Sequence, residues 1–359
     1  MPASSSLWQP LTLGHIELPH RLALAPMTRN RADPDGTPGP LVTTYYAQRA
    51  SLGLLITEGT QPSEDGQGYL GTPGIYTARH VEGWRAVADA VHDGGGALFV
   101  QLMHVGRISH PDNTPHHRQP VAPSAVSAEQ EMFTPTGPQT TPTPRELRTD
   151  EIQTVIGEFR HAAASAIAAG ADGVEIHGAN GYLLHQFLSP NANHRTDSYG
   201  GSVENRSRFV VEVARAVSEE IGADRVGIRL SPAMPLGGID EGGTEDVHTQ
   251  YGHLVSELAP LRLAYLHLHH VGDDELLRAL RDAWPSAVLV VRYGRTRDQI
   301  SDDIDAGLAD VAPLDRWALA NPDVVERLRT DAPFTEPDVT TFYTGGEKGY
   351  TDYPALAQA

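Results

Sequence analysis

The sequence predicts a single (β/α)8 barrel on three observations: its length of 359 residues, eight short apolar runs alternating with amphipathic stretches, and one long irregular insert after the third run. A barrel of this kind takes ~250 residues or more. Runs of Val, Ile and Leu that hardly alternate with polar residues mark parallel strands covered on both faces. In order, the runs are Arg21–Pro26, Gly53–Glu58, Ala97–Met103, Gly173–His177, Val226–Ser231, Leu263–His269, Ala287–Arg292 and Ala309–Pro313. Eight strands are enough to close a barrel whose interior is filled by side chains.

Helices are expected between these runs, among them Val81–His92, Glu151–Ala169, Val203–Ile221 and Asp274–Ala283. Thr149 or Asp150 is placed to cap the second of them, and Ser202 the third. Right-handed crossovers put such helices outside the sheet. The insert, residues 107–148, is rich in Pro, Thr and His and has little periodicity. Because it leaves the C-terminal end of a strand, it is expected to form a lid or small hairpin over the mouth of the barrel.

Composition excludes several classes of function. The 46 acidic residues outnumber 27 basic ones, and a net charge of −19 repels phosphate backbones and anionic lipid headgroups. Neither nucleic acid nor a membrane is therefore an expected partner. The absence of cysteine rules out disulfides, thiolate nucleophiles and iron–sulfur clusters. Met1–Pro10 has no basic stretch leading into an apolar run, and no apolar stretch approaches the ~20 residues of a membrane helix. The expectation is a cytoplasmic monomer or homodimer acting on a small molecule.

The chemistry concentrates in Glu175–Pro190 (EIHGANGYLLHQFLSP), at the C-terminal end of the fourth run, where barrel enzymes place catalytic groups. His177, Asn180 and Tyr182 lie within six residues. Two neutral donors can hold and polarise a carbonyl or nitro oxygen while a phenol delivers a proton nearby. The competing interpretation is that His177 and Asn180 only satisfy backbone groups in a polar turn. Gly66–Gly71 matches G-x-G-x-x-G but neither follows a strand nor opens a helix, so no dinucleotide site is expected there. His267 and His269 alternate along the sixth run, and His116 and His117 sit in the insert; neither pair has a spaced third ligand, and no metal is expected.

The run from Glu175, continuing through Asn191–Arg206 (NANHRTDSYGGSVENR), closely resembles the signature of the old yellow enzyme family. Ala25–Arg29 (APMTR), Tyr45–Ala50, Gln101–Arg107 (QLMHVGR) and Gly345–Pro354 resemble further motifs of that family, in the family's order across nearly the whole chain. The resemblance implies an FMN-dependent, NAD(P)H-driven reductase of alkenes activated by a carbonyl or nitro group. It implies that Pro26, Met27 and Thr28 lie along the flavin ring, that Gly59 and Gln101 complete the ring contacts, and that Arg229 sets a positive charge beside the pyrimidine edge. It also implies that His177 and Asn180 bind the activating group, Tyr182 protonates the α carbon, and Tyr343 covers the substrate.

The agreement weakens where barrels hold phosphates, after strands seven and eight. Gly294 and Arg316 keep the family pattern, but Tyr293 adds bulk and Asp315 stands where the family has glycine. A carboxylate beside a phosphate is repulsive unless a cation intervenes, and Arg292, Arg295 or Arg297 is expected to supply one. His20 and Met103 are smaller departures, the second softening a pocket wall. The phosphate end leaves one alternative activity, a non-redox isomerase or cyclase on the same fold with altered flavin binding.

Overall fold

Parallel pairing runs unbroken through eight strands in the computed structural model, which describes residues 5–270 and 272–356. The strands are β1 (Leu22–Leu24), β2 (Leu54–Ile56), β3 (Ala97–Leu102), β4 (Gly173–Gly178), β5 (Val226–Leu230), β6 (Tyr265–His270), β7 (Ala287–Arg292) and β8 (Ala312–Leu314). β8 pairs with β1, and the seam between β7 and β8 is closed by one parallel bridge, Leu289 to Val311. Asp310 reinforces that seam: its N–H donates to Val288 O at 2.7 Å, and its carboxylate accepts from Val288 N at 2.9 Å. All eight expected runs form strands. The eighth begins three residues late because Ala309 N–H bonds back to Asp303 O and finishes the preceding helical turn.

Alternation along each strand sorts the side chains between two cores. Leu98, Val100, Val174, Ile176, Ile228 and Leu266 point outward into the large apolar cluster shared with the helices. The inward set is layered. Phe99, Tyr265 and Leu289 fill the lower barrel with apolar contacts, and the two rings meet at 5.6 Å between centroids. Gly227 is required there, since a Cβ would lie 2.1 Å from the Tyr265 ring. One step closer to the C-terminal ends of the strands the inward residues turn polar: Gln101, Glu175, His177, Arg229, His267 and His269. An antiparallel hairpin, Leu11–Leu13 with Ile16–Leu18, joins the lower cluster from the other end.

The surrounding helices include α1 (Ala78–Asp93), α2 (Thr149–Ala168), α3 (Val203–Ile221), α4 (Thr244–Leu258) and α5 (Asp274–Ala283). Ser202 caps α3 as expected, accepting from Asn205 N. At α2 the capping position falls on Arg148 rather than Thr149 or Asp150. The cause is Glu151, whose carboxylate reaches back to Arg148 N–H at 2.7 Å, and the helix starts at Thr149, two residues before the expected Glu151.

Segment 107–148 contains an antiparallel hairpin, Glu131–Thr134 with Gly137–Thr140. Its start is anchored by the buried Arg107, which donates to Val126 O, Gly237 O and Gly238 O. Asn113 ties it to the loop after β2, donating to both Gly68 O and Phe133 O.

Candidate active site

The C-terminal ends of the strands open on a pocket of about 1300 Å³. Pro26, Met27 and Thr28 reach it just beyond β1, Asn180 and Tyr182 beyond β4, Arg229 and His269 from β5 and β6, and Gly294 and Arg316 from beyond β7 and β8. Tyr343 and the hairpin residues Met132 and Phe133 form its rim. Of the residues expected to hold cofactor or substrate, Gly59, Gln101 and His177 sit deepest, Gln101 and His177 being only 2% and 3% exposed. Gly59 packs on Met103, Gln101 donates to Glu175 Oε1 at 2.7 Å, and His177 lies edge-on behind Tyr182 at 4.9 Å between ring centroids.

The local sequence explains why Asn180 and Tyr182 face the cavity. Asn180 takes a left-handed backbone conformation, φ 57°, that turns the chain sharply out of β4. Its N–H donates to Ser231 Oγ at 2.8 Å, and Gly181 N–H donates to His185 Nδ1 at 3.0 Å. His185 is buried against Glu241 and Tyr251, so the turn rests on a polar network. The Tyr182 hydroxyl lies 3.1 Å from that of Tyr69. Tyr69 was not anticipated as a site residue. It belongs to the Gly66–Gly71 look-alike, whose glycines serve packing: a Cβ on Gly68 would lie 2.3 Å from Ile108 O.

Electrostatics keep these donors neutral. Burial, reinforced by the neighbouring Tyr69, pushes the Tyr182 phenol well above the usual tyrosine range, so it retains its proton at any working pH. Burial, with Arg229 next, holds His177 well below the ordinary histidine value. Burial also raises Glu175, but His267, Arg229 and Gln101 outweigh it and keep that carboxylate ionised. Its negative charge balances the Arg229 cation inside the barrel, while His267, lowered by burial, stays neutral at 2.8 Å from Glu175 Oε2.

Glu58 holds the loop that carries Met27 and Thr28. Its Oε2 accepts from Arg29 N at 2.9 Å and Asn30 N at 3.1 Å, and Oε1 is buried without a partner. Burial pushes its carboxyl up to about 7, against those backbone bonds and the nearby Arg29 and Arg31. The folded chain therefore binds this proton more tightly than the unfolded one. The associated stability is complete below pH 4.5 and is lost as pH rises through 7, by roughly 3 kcal/mol. Glu58→Gln keeps an acceptor for both amides and is expected to flatten the fall of melting temperature across that window; an unchanged slope would assign the titration to another group.

The profile of the NADH:flavin oxidoreductase / NADH oxidase family matches residues 6–334. The chain belongs to this family, the old yellow enzymes. It is 41% identical to 12-oxophytodienoate reductase 1 of Oryza sativa subsp. japonica, covering 99% of this chain and 94% of the relative. It is 40% identical to a probable flavin mononucleotide-dependent alkene reductase of Leishmania infantum, covering 97% of each. Among solved structures, morphinone reductase superposes with a TM-score of 0.93 at 42% identity, over 99% of this chain and 96% of that one. The old yellow enzyme homologue from Zymomonas mobilis gives the same TM-score at 37% identity, covering 98% and 100%.

For an old yellow enzyme the group to be held is FMN, and the ring end of the pocket fits it. The Arg229 guanidinium faces the cavity with no hydrogen bond among the described residues, and its Nε is buried unpartnered. Buried guanidinium donors without acceptors are costly even where a carboxylate balances the charge, so this site is built around a ligand's acceptor edge.

The phosphate end fits less closely. Asp315 turns its carboxylate onto the next backbone N–H, that of Arg316, at 2.6 Å, covering an amide that a phosphate would otherwise meet. The arginines expected to compensate are committed elsewhere. Arg292 pairs with Asp274 and Asp303, Arg295 with Asp303, and Arg297 with Asp331. Asp274 follows β6, Asp303 follows β7 and Asp331 lies beyond β8, so these carboxylates reach the loop by packing, which spacing along the chain does not reveal. Arg316, stacked on Trp317 at 4.7 Å, lines the pocket of this old yellow enzyme and makes no ion pair among the described residues.

Proposed function

We propose that the chain is an FMN-dependent NAD(P)H oxidoreductase that reduces the C=C bond of alkenes conjugated to a carbonyl or nitro group. One observation carries this reading: a neutral carboxamide, a neutral phenol and an unpartnered guanidinium converge on the same pocket. The names of the relatives, 12-oxophytodienoate reductase and morphinone reductase, agree with it. The non-redox alternative draws only on Tyr293 and Asp315, and none of these relatives favours it.

Pro26, Met27, Thr28 and Arg229 would hold the flavin ring, with Gly59 and Gln101 beneath them, and Gly294 and Arg316 would hold the phosphate. FMN held there would supply hydride-transfer chemistry toward the β carbon of the alkene, with NAD(P)H as the source of the electrons. Asn180, joined by His177 from behind Tyr182, donates to the oxygen of the activating group, which withdraws electron density from the β carbon. Tyr182 keeps its proton on Oη and delivers it to the α carbon, and Tyr69 Oη, 3.1 Å away, is placed to stabilise the phenolate left behind.

Leu70, Phe133, Tyr293, Val339 and Tyr343 are exposed large hydrophobic side chains that all border the pocket. Their clustering at one mouth supports a substrate with an apolar body beyond its polar head. The hairpin in segment 107–148 acts as a lid, with Phe133 at its edge. Arg29 and Arg31 hold the opposite rim by donating to Phe342 O, which sets Tyr343 over the opening.

The visible absorption spectrum of the purified protein, before and after adding FMN, is the first test. A flavin band together with NAD(P)H-dependent reduction of 2-cyclohexenone is expected. A protein that stays colourless with FMN, or product formed without reductant, would reject the proposal.

A further inference from the structure

Which end of the Asn180 carboxamide faces the pocket is decided by a side chain on the neighbouring part of the barrel. His269 Nδ1 lies 3.0 Å from Asn180 Oδ1. The ring is 2% exposed, and burial, with Arg229 and His267 next, pushes it down to about 3, so it is a neutral imidazole carrying one proton. A carboxamide oxygen can only accept. The proton therefore sits on Nδ1, and Nε2 keeps a bare lone pair.

Nε2 is buried without a partner, and a lone pair is less costly to leave in that state than an N–H. The opposite amide orientation would place Asn180 Nδ2 against Nδ1 and force the proton onto Nε2, orphaning a buried donor. Tyr293 packs edge-to-face on the imidazole at 4.6 Å and holds its plane. The Asn180 backbone is pinned in turn by Ser231. With Oδ1 engaged, Nδ2 makes no hydrogen bond among the described residues, and Asn180 lines the cavity.

We propose that His269 is a positioning residue that fixes the Asn180 carboxamide with its NH2 toward the substrate oxygen. Rotated by half a turn, the amide would set oxygen against oxygen and repel the group it has to bind. Tyr293, an added bulk at the phosphate loop, thereby acquires a second role: it clamps the histidine. The inference rests on the reading of this pocket as the site of the activated alkene, and it assigns to His269 a task that involves no contact with substrate.

The test uses the FMN-loaded protein and cyclohexanone, a carbonyl ligand with no C=C bond to reduce. Its binding is followed through the flavin absorbance, and the polarisation of its carbonyl through the C=O stretch in infrared difference spectra. His269→Leu is expected to weaken cyclohexanone binding about tenfold and to shift the C=O stretch back toward its value in water, with FMN affinity and melting temperature unchanged. His269→Gln, whose amide can donate to Oδ1, is expected to restore binding to within about threefold. Unchanged affinity and C=O stretch in His269→Leu would overturn the proposal. So would loss of FMN and cyclohexanone together without rescue by Gln, since that pattern marks a packing role. A wild-type protein that holds FMN but binds no cyclohexanone would instead reject the underlying assignment of the pocket.

Discussion

Replacing Tyr182 with Phe is expected to slow alkene reduction roughly 10²- to 10⁴-fold, the contribution usual for a positioned general acid. The ring stays, so its edge contact with His177 and its place in the wall are preserved. The proton is lost. Because the phenol is held well above the ordinary tyrosine range, the wild-type rate should show no loss of activity from Tyr182 ionisation below pH 10. Transient kinetics separate the two half-reactions: reduction of the protein by NAD(P)H should be unaffected, and reoxidation by 2-cyclohexenone should carry the whole deficit. Reoxidation at the wild-type rate would remove Tyr182 from the role and direct attention to Tyr69, whose hydroxyl is within hydrogen-bonding distance.

Asp315→Gly is expected to tighten FMN binding without affecting riboflavin. The carboxylate sits on the Arg316 N–H at the end of the pocket where barrels bind phosphate, and burial already raises its proton affinity above the usual aspartate value. Even at the dielectric of bulk water, a phosphate dianion about 4 Å from that carboxylate costs about 2 kcal/mol, equivalent to about thirtyfold in Kd. Fluorescence titration with FMN and riboflavin on wild type and variant isolates that term, since the two flavins share the ring and differ in the phosphate. Equal FMN affinity in both proteins would mean that Asp315 turns away when the phosphate arrives. Arg316→Ala should act in the opposite direction, weakening FMN and leaving riboflavin alone.

The barrel was legible because its cause is periodic. Strands buried on both faces must be apolar in short runs, and the eight runs marked by Val, Ile and Leu are the eight strands observed. The inward positions were legible in part for the same reason. His177, Arg229, His267 and His269 occupy inward positions of β4, β5 and β6, while Ile176, Ile228, Leu266 and Leu268 pack against the helices. The cap of α2 falls on Arg148 because Glu151, three residues downstream, accepts the Arg148 N–H, a contact that capping propensity alone does not foresee.

The pairings across the barrel were not legible. In the sequence His269 is one of two alternating histidines and Tyr69 part of a glycine-rich look-alike, because their partners lie 89 and 113 residues away. The arginines of the phosphate loop read as free cations in the sequence although Asp303 and Asp274 lie only 11 and 18 residues from Arg292, because it is the packing of helical segments around β7 that brings those carboxylates to it.

The sequence by itself determined the fold, the family and the wall of the pocket on which chemistry is expected, since these follow from residue type at fixed local spacing. Only the tertiary structure decided which polar groups are spent on one another and which are left for a ligand. That depends on hydrogen bonds and ion pairs closing between strands far apart in the chain, and in a buried site a single such bond settles whether a side chain supports its neighbour or faces the substrate.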